Sequence, residues 1–210
     1  ISYYAKELNI NNPRAHPWST AISNDQHEYV DFKKHPEKIQ TCLEDWNKFS
    51  NEDFAKSFFR LLEWLNSKDS SLESNDCAFI PSIDNPDRQF KFKKRCSARL
   101  MILFRNTEEN TQEPSVDWLL NESISSVAKI DKQFDSGAIG FSYAKTVFME
   151  LSEEPNHGAL GHQILISMFA YGKNRSLAHK NMNLVIVNLY KALEKINQRI
   201  VDGEVDSIYA

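Results

Sequence analysis

Residues 139–151 read Ile139-Gly140-Phe141-Ser142-Tyr143-Ala144-Lys145-Thr146-Val147-Phe148-Met149-Glu150-Leu151, and the period assigned to them decides the fold class. Taken in twos, Ile139, Phe141, Tyr143, Val147, Met149 and Leu151 alternate as in a strand with one buried face. At helical spacing, Phe141, Ala144, Phe148 and Leu151 also share a face. Aromatic and β-branched content favours the strand.

Downstream, Ile164–Tyr171 is a short apolar run that stops at Gly172 and again reads as a strand. Upstream, Cys77–Ile83 and Ser97–Phe104 are apolar runs separated by Pro86 and a charged stretch, the pattern of an antiparallel pair. Between the two pairs, Pro114-Ser115 opens a helix striped by Val116, Leu120, Ile124, Val127, Ile130 and Phe134. Asp135-Ser136-Gly137 is expected to end it, with Gly137 as a left-handed cap.

Two helices precede the first strand pair. Pro36 fits a first helical position ahead of Ile39, Leu43 and Trp46. Ser50 is the expected N-cap of the next helix, whose stripe is Phe54, Phe58, Leu61, Leu62 and Leu65. Asn66–Asp76 reads as a polar linker. The chain closes on Met182, Val185, Leu189, Leu193, Ile196 and Ile200, a helix of roughly 25 residues with Lys191, Lys195 and Arg199 toward its C-terminal end.

The order α-α-β-β-α-β-β-α predicts an α+β fold, a small antiparallel sheet of about four strands packed against amphipathic helices. Residues 1–35 lack a sustained period and are expected to form an irregular N-terminal arm, anchored by Trp18, Tyr29 and Phe32 onto one α+β domain at 36–210. The length of 210 residues, with 41% hydrophobic and 26% charged, is ordinary globular usage. No apolar run nears the ~20 residues of a membrane helix, so no membrane association is expected. Cys42, Cys77 and Cys96 are too sparse for a disulfide scaffold and point to a reducing, cytoplasmic setting, with Cys42 read as a small core residue. Ile1 stands where a start methionine would, which leaves a removed leader open.

All six glycines follow residue 136, so the first two thirds of the chain hold no glycine-rich phosphate loop. Gly158 and Gly161 mark a loop, Glu153-Glu154-Pro155-Asn156-His157-Gly158-Ala159-Leu160-Gly161-His162. His157 and His162 there are candidate metal ligands, with Glu153 or Glu154 beside them, and His157 a candidate cofactor or haem ligand. A polar turn between strands explains the same residues.

From Arg88 to Arg105 stand seven cations and no acid, leaving 18 cations against 29 acids elsewhere. Within this segment Lys91, Lys93, Lys94 and Arg95 alternate with Phe90 and Phe92, a ribbon suited to phosphates and bases or to an acidic protein partner. Lysines guarding a sheet edge against aggregation give the same pattern. Asp31-Phe32-Lys33, after Asp25, resembles a nuclease-type carboxylate and lysine set.

Lys173-Asn174-Arg175-Ser176-Leu177-Ala178-His179-Lys180-Asn181 resembles the Arg-Asn-x-x-Ala/Val-His signature of the HEPN family, helical proteins that often act as ribonucleases. The resemblance implies Arg175 polarising a phosphate and His179 transferring protons to ribose oxygens, with the arginine here following the asparagine. A capped helix N-terminus, with Asn174 or Ser176 as the cap, accounts for the same stretch. With no complete catalytic set at a diagnostic spacing, the leading expectation is an accessory or regulatory binding protein, able to self-associate as a homo-oligomer.

Overall fold

The computed structural model describes residues 2–7, 13–17, 29–86, 91–130, 132, 134–151 and 158–209. Two strands come first, β1 (Ser2–Glu7) and β2 (Arg14–His16). Then follow α1 (Ile39–Cys42), α2 (Glu44–Asn47), α3 (Asp53–Leu65), β3 (Leu72–Asp84), β4 (Lys94–Phe104), α4 (Glu113–Ile130), β5 (Gly137–Phe148), β6 (Ala159–Gly172) and α5 (Arg175–Val201). The α+β class stands. The sheet is larger than expected and mixed: its order is β1-β5-β6-β4-β3, with β2 continuing β1 along the same edge of β5.

Both edge strands run parallel to β5, whereas β5, β6, β4 and β3 pair antiparallel. The arm at 1–35 therefore supplies a sheet edge. Two strands this short carry too few residues to show a period of two, and their partner lies more than 130 residues away, at Ala138 for Ser2. Helix α4 carries the chain from β4 past the place of β6 to β5, and β6 returns to fill the gap.

One face of the sheet is helix-covered. Ala98, Leu100 and Ile102 of β4, Ile164, Ile166 and Met168 of β6, and Ile139 and Phe141 of β5 form one core with α3, α4 and α5. Each fully buried Leu, Ile or Phe contributes about 1.5–3 kcal/mol. Gly137 serves this packing, not a left-handed cap: it opens β5, and a Cβ there would meet Val185 Cγ2 at 2.5 Å and Phe134 Cε1 at 2.7 Å. Strand β5 is buried on both faces. Ala144, Thr146 and Phe148 are enclosed on the side away from the helices, which explains why 139–151 carried two periods at once.

Other boundaries also differ from the sequence reading. The first helix breaks at Leu43, whose backbone leaves the helical region, giving one-turn pieces α1 and α2. Glu52, not Ser50, holds the N-cap position of α3, and its side chain makes no cap hydrogen bond. Strand β3 starts inside the supposed linker, because Ser74 accepts from Asn66 Nδ2 (2.8 Å) and Glu73 has partners of its own. Register shifts at Ser74/Cys77 and Ile80/Ile83 accommodate Pro81 on this edge strand. Cys42 is exposed, and all three cysteines are free.

Candidate functional site

The second face of the sheet is concave, and ion pairs between its two edges show how strongly it curls. In a flat sheet β2 and β3 would lie about 19 Å apart, four spacings of about 4.8 Å. Instead Arg14 Nη1 of β2 reaches Asp76 Oδ2 of β3. His16 Nε2 lies 3.6 Å from Glu73 Oε1, and Lys33 Nζ donates to Glu73 Oε2 at 2.5 Å. These contacts draw the edges together at one end of the sheet, leaving a trough closed there and open at the other end.

At the closed end the trough floor is polar and connected. Asn75 Nδ2 donates to Gln163 Oε1 (2.9 Å), Gln163 Nε2 donates to Thr146 Oγ1 (3.0 Å), and that hydroxyl donates to the Ala144 carbonyl (2.9 Å). Met101, Leu103 and Phe148 are buried around this chain. His16 and Phe148 rings meet edge to face at 5.7 Å, and Tyr29 meets His16 at the same distance. Burial, reinforced by Asp31, Glu73 and Glu150, raises the Tyr29 phenol well above its ordinary range, so it stays protonated at neutral pH.

The open end is lined by Arg95, Ser97 and Arg99 of β4 and Ser167, Phe169 and Tyr171 of β6, in the rows set by their register. The Arg95 guanidinium lies 5.6 Å over the Phe169 ring, and Phe92 stacks on Tyr171 at 6.1 Å. Arg99 Nη2 reaches Asp76 Oδ2 at 3.1 Å. Ile80 (54% exposed) and Ile83 (43%) stand on the β3 rim.

The basic segment is more neutral in space than in sequence. Lys94 pairs with Asp84 (2.7 Å) and Lys91 with Asp135 (3.2 Å), and each lysine holds its partner's carboxyl below the ordinary range. Arg105 Nη2 donates to the carbonyls of Leu65 and Ser67, closing the C-terminal end of α3. Lys93 is exposed, and Arg88 lies outside the described residues.

Arg175 and His179 stand one turn apart at the start of α5, which Asn174 caps by accepting from the Leu177 N–H at 2.9 Å. Both contact Phe49, but differently. The Arg175 guanidinium covers that ring from outside at 5.6 Å, whereas His179, 4% exposed, is enclosed by Phe49, Phe54 and Phe79. Its Nδ1 faces Glu52 Oε2 at 2.7 Å. The sheet departs from the all-helical fold that the HEPN resemblance implies, because 139–172 forms two long strands where helices would be needed.

His162 is half-buried on β6 beside Tyr143 (5.7 Å), in the alternation that also places Ile164 toward the helices. His157 lies outside the described residues. Among the described residues no group of three His, Cys, Asp or Glu is placed to hold a metal, and no helix is long and apolar enough to cross a membrane. Burial pushes the Cys96 thiol up to about 12, which leaves it unreactive.

Sequence reading missed Arg14, His16 and Glu73, which carry no local signature; their link spans about sixty residues and depends on the curl. Lys33 did carry a signal, in Asp31-Phe32-Lys33, although the carboxylate it bonds is Glu73, forty residues on. No protein-family model matches the chain, and no curated protein or solved structure matches it.

Proposed function

We propose that the protein is an accessory binding protein whose open trough takes a single-stranded nucleic acid. One observation carries the reading: Arg95 and Arg99 stand on the trough face of β4, and Arg99 shares a single carboxylate, Asp76, with Arg14 at the trough's closure. Two guanidiniums share that aspartate, and Arg95 has no acid against it among the described residues. Guanidiniums bind phosphate in fixed, forked geometry. Phe169 and Phe92, both half-buried, offer apolar ring surface on which bases stack, with Tyr171 buried behind Phe92, and the Arg95 guanidinium already lies 5.6 Å over the Phe169 ring. Free, separated cysteines suit a reducing compartment.

The test is fluorescence anisotropy with labelled homopolymer RNA and DNA strands over a salt series. Wild type is expected to bind at low salt. Arg95→Ala and Arg99→Ala are each expected to weaken binding and to lower the salt slope by about one. Equal affinity for polyglutamate reassigns the trough to an acidic protein. Unchanged binding in both variants removes the trough from consideration.

A further inference from the structure

Beside the opposite, closed end of the trough lies a cleft of about 340 Å³, whose described lining includes His16, Tyr29, Asp31, Lys33, Lys38 and Glu150. That volume falls in the range of small-molecule sites. The lining separates into two kinds of unused group. His16 is 3% exposed, and its Nδ1 is buried without a hydrogen-bond partner among the described residues. Its Nε2 lies 3.6 Å from Glu73 Oε1, beyond hydrogen-bond distance but close enough for the negative charge to draw the single proton of a neutral ring to that nitrogen, and Nδ1 then presents a lone pair. Glu150 is met by the Thr107 hydroxyl and by no cation among the described residues. Burial first, and then the charges of Asp31, Glu73 and Glu150, raise the Tyr29 phenol on the cleft wall.

On the cationic side Lys33 is taken by Glu73, and Lys34 by Asp31 at 3.5 Å. Lys38, exposed, has no ion-pair partner among the described residues. The cleft thus sets acceptors at Glu150 and His16 apart from an unclaimed ammonium at Lys38.

We infer that this cleft binds a small zwitterion, a primary ammonium and a carboxylate a few bonds apart, with the ammonium at Glu150 and His16 Nδ1 and the carboxylate at Lys38. A simple amine satisfies only one end and a simple acid only the other. A polar cleft holding a buried acceptor, His16 Nδ1, discriminates against a ligand that leaves it unpaired. The site is independent of nucleic-acid binding at the open end.

The experiment uses the whole chain with glycine, β-alanine and γ-aminobutyrate as probes, against butylamine and butyrate. Melting temperature and the imidazole nitrogen resonances of His16 are the readouts. At least one zwitterion is expected to raise the melting temperature by about 3 °C at saturation. It should also shift the His16 nitrogens and bind at least tenfold more tightly than either half-probe. Lys38→Met is expected to reduce the zwitterion to the affinity of butylamine, and Glu150→Gln to that of butyrate; both changes lie at the rim. The inference is overturned if no probe moves either readout at millimolar concentration. It is equally overturned if butylamine or butyrate matches the zwitterions, or if both variants bind as wild type does.

Discussion

His16 and His179 are near twins by simple measures. Each is almost wholly buried, each faces a glutamate with one ring nitrogen, and each leaves the other nitrogen without a partner among the described residues. Their surroundings separate them. His179 is walled by three phenylalanines, and its glutamate, Glu52, has a side chain 41% exposed, so water screens the pair and the ring is chiefly packing. His16 lines a cleft, and its glutamate is itself buried and bound to a cation, Lys33. A buried imidazole with a carboxylate is therefore an ordinary way to satisfy a core histidine; space beside it, with unmatched charge around that space, is what makes a site.

The largest effect that can test this contrast is at Glu73. Glu73→Ala leaves His16 and Lys33 without their shared acceptor and unfastens β2 from β3. Breaking a buried pair costs about 3–5 kcal/mol, and Lys33, being partly exposed, recovers some hydration, so a loss of about 3 kcal/mol is expected. Urea unfolding measures it, with Glu73→Gln expected to lose less because an amide oxygen still accepts. A loss equal to that of Glu52→Ala, for which about 1 kcal/mol is expected, would erase the distinction between the two histidines.

That distinction is also where sequence reading stopped. The stripes of α3 and α5 were legible because one buried face writes one period, and β4 and β6 were legible as short apolar runs because parts of both strands are covered on both sides. Strand β5 was ambiguous for a physical reason: Phe141 faces the helices and Phe148 the closed trough, so neither period was complete. The site was less legible still. Glu73 sat among Ser and Asp residues that read as a linker, and Arg14 and His16 lie on a three-residue strand. Their roles come from an edge-to-edge closure that no local pattern encodes. The basic segment was visible, but its neutralisation by Asp84 and Asp135 was not.

A smaller change probes the other histidine. His179→Phe removes the glutamate contact together with the unpartnered Nε2, and sets a fourth aromatic ring among Phe49, Phe54 and Phe79. Lost hydrogen bonding and a larger ring oppose the relief of an unsatisfied buried nitrogen, so a net change within about 1 kcal/mol is expected from chemical unfolding. His16→Phe is expected to cost more, since it strips the buried Glu73 carboxylate of its imidazole neighbour and fills space next to the cleft. Equal costs would mean that both rings are packing alone.

The smallest effect lies at the open end and concerns how much of the basic segment remains available to a polyanion. Lys94 bonds Asp84, whose carboxyl is held below its ordinary value first by that hydrogen bond and then by the lysine's charge. A carboxyl with a depressed folded-state pKa adds stability above its unfolded value and loses it as pH falls through the folded one. Asp84 is fully exposed, so its contribution to stability is screened and the titration itself is the better observable. In Lys94→Met the Asp84 carboxyl resonance is expected to titrate at a higher pH than in wild type, close to the ordinary range. If its midpoint does not move, Lys94 is not committed to Asp84 and stands beside Lys93 as a free cation, which would enlarge the positive rim of the trough and steepen its response to salt.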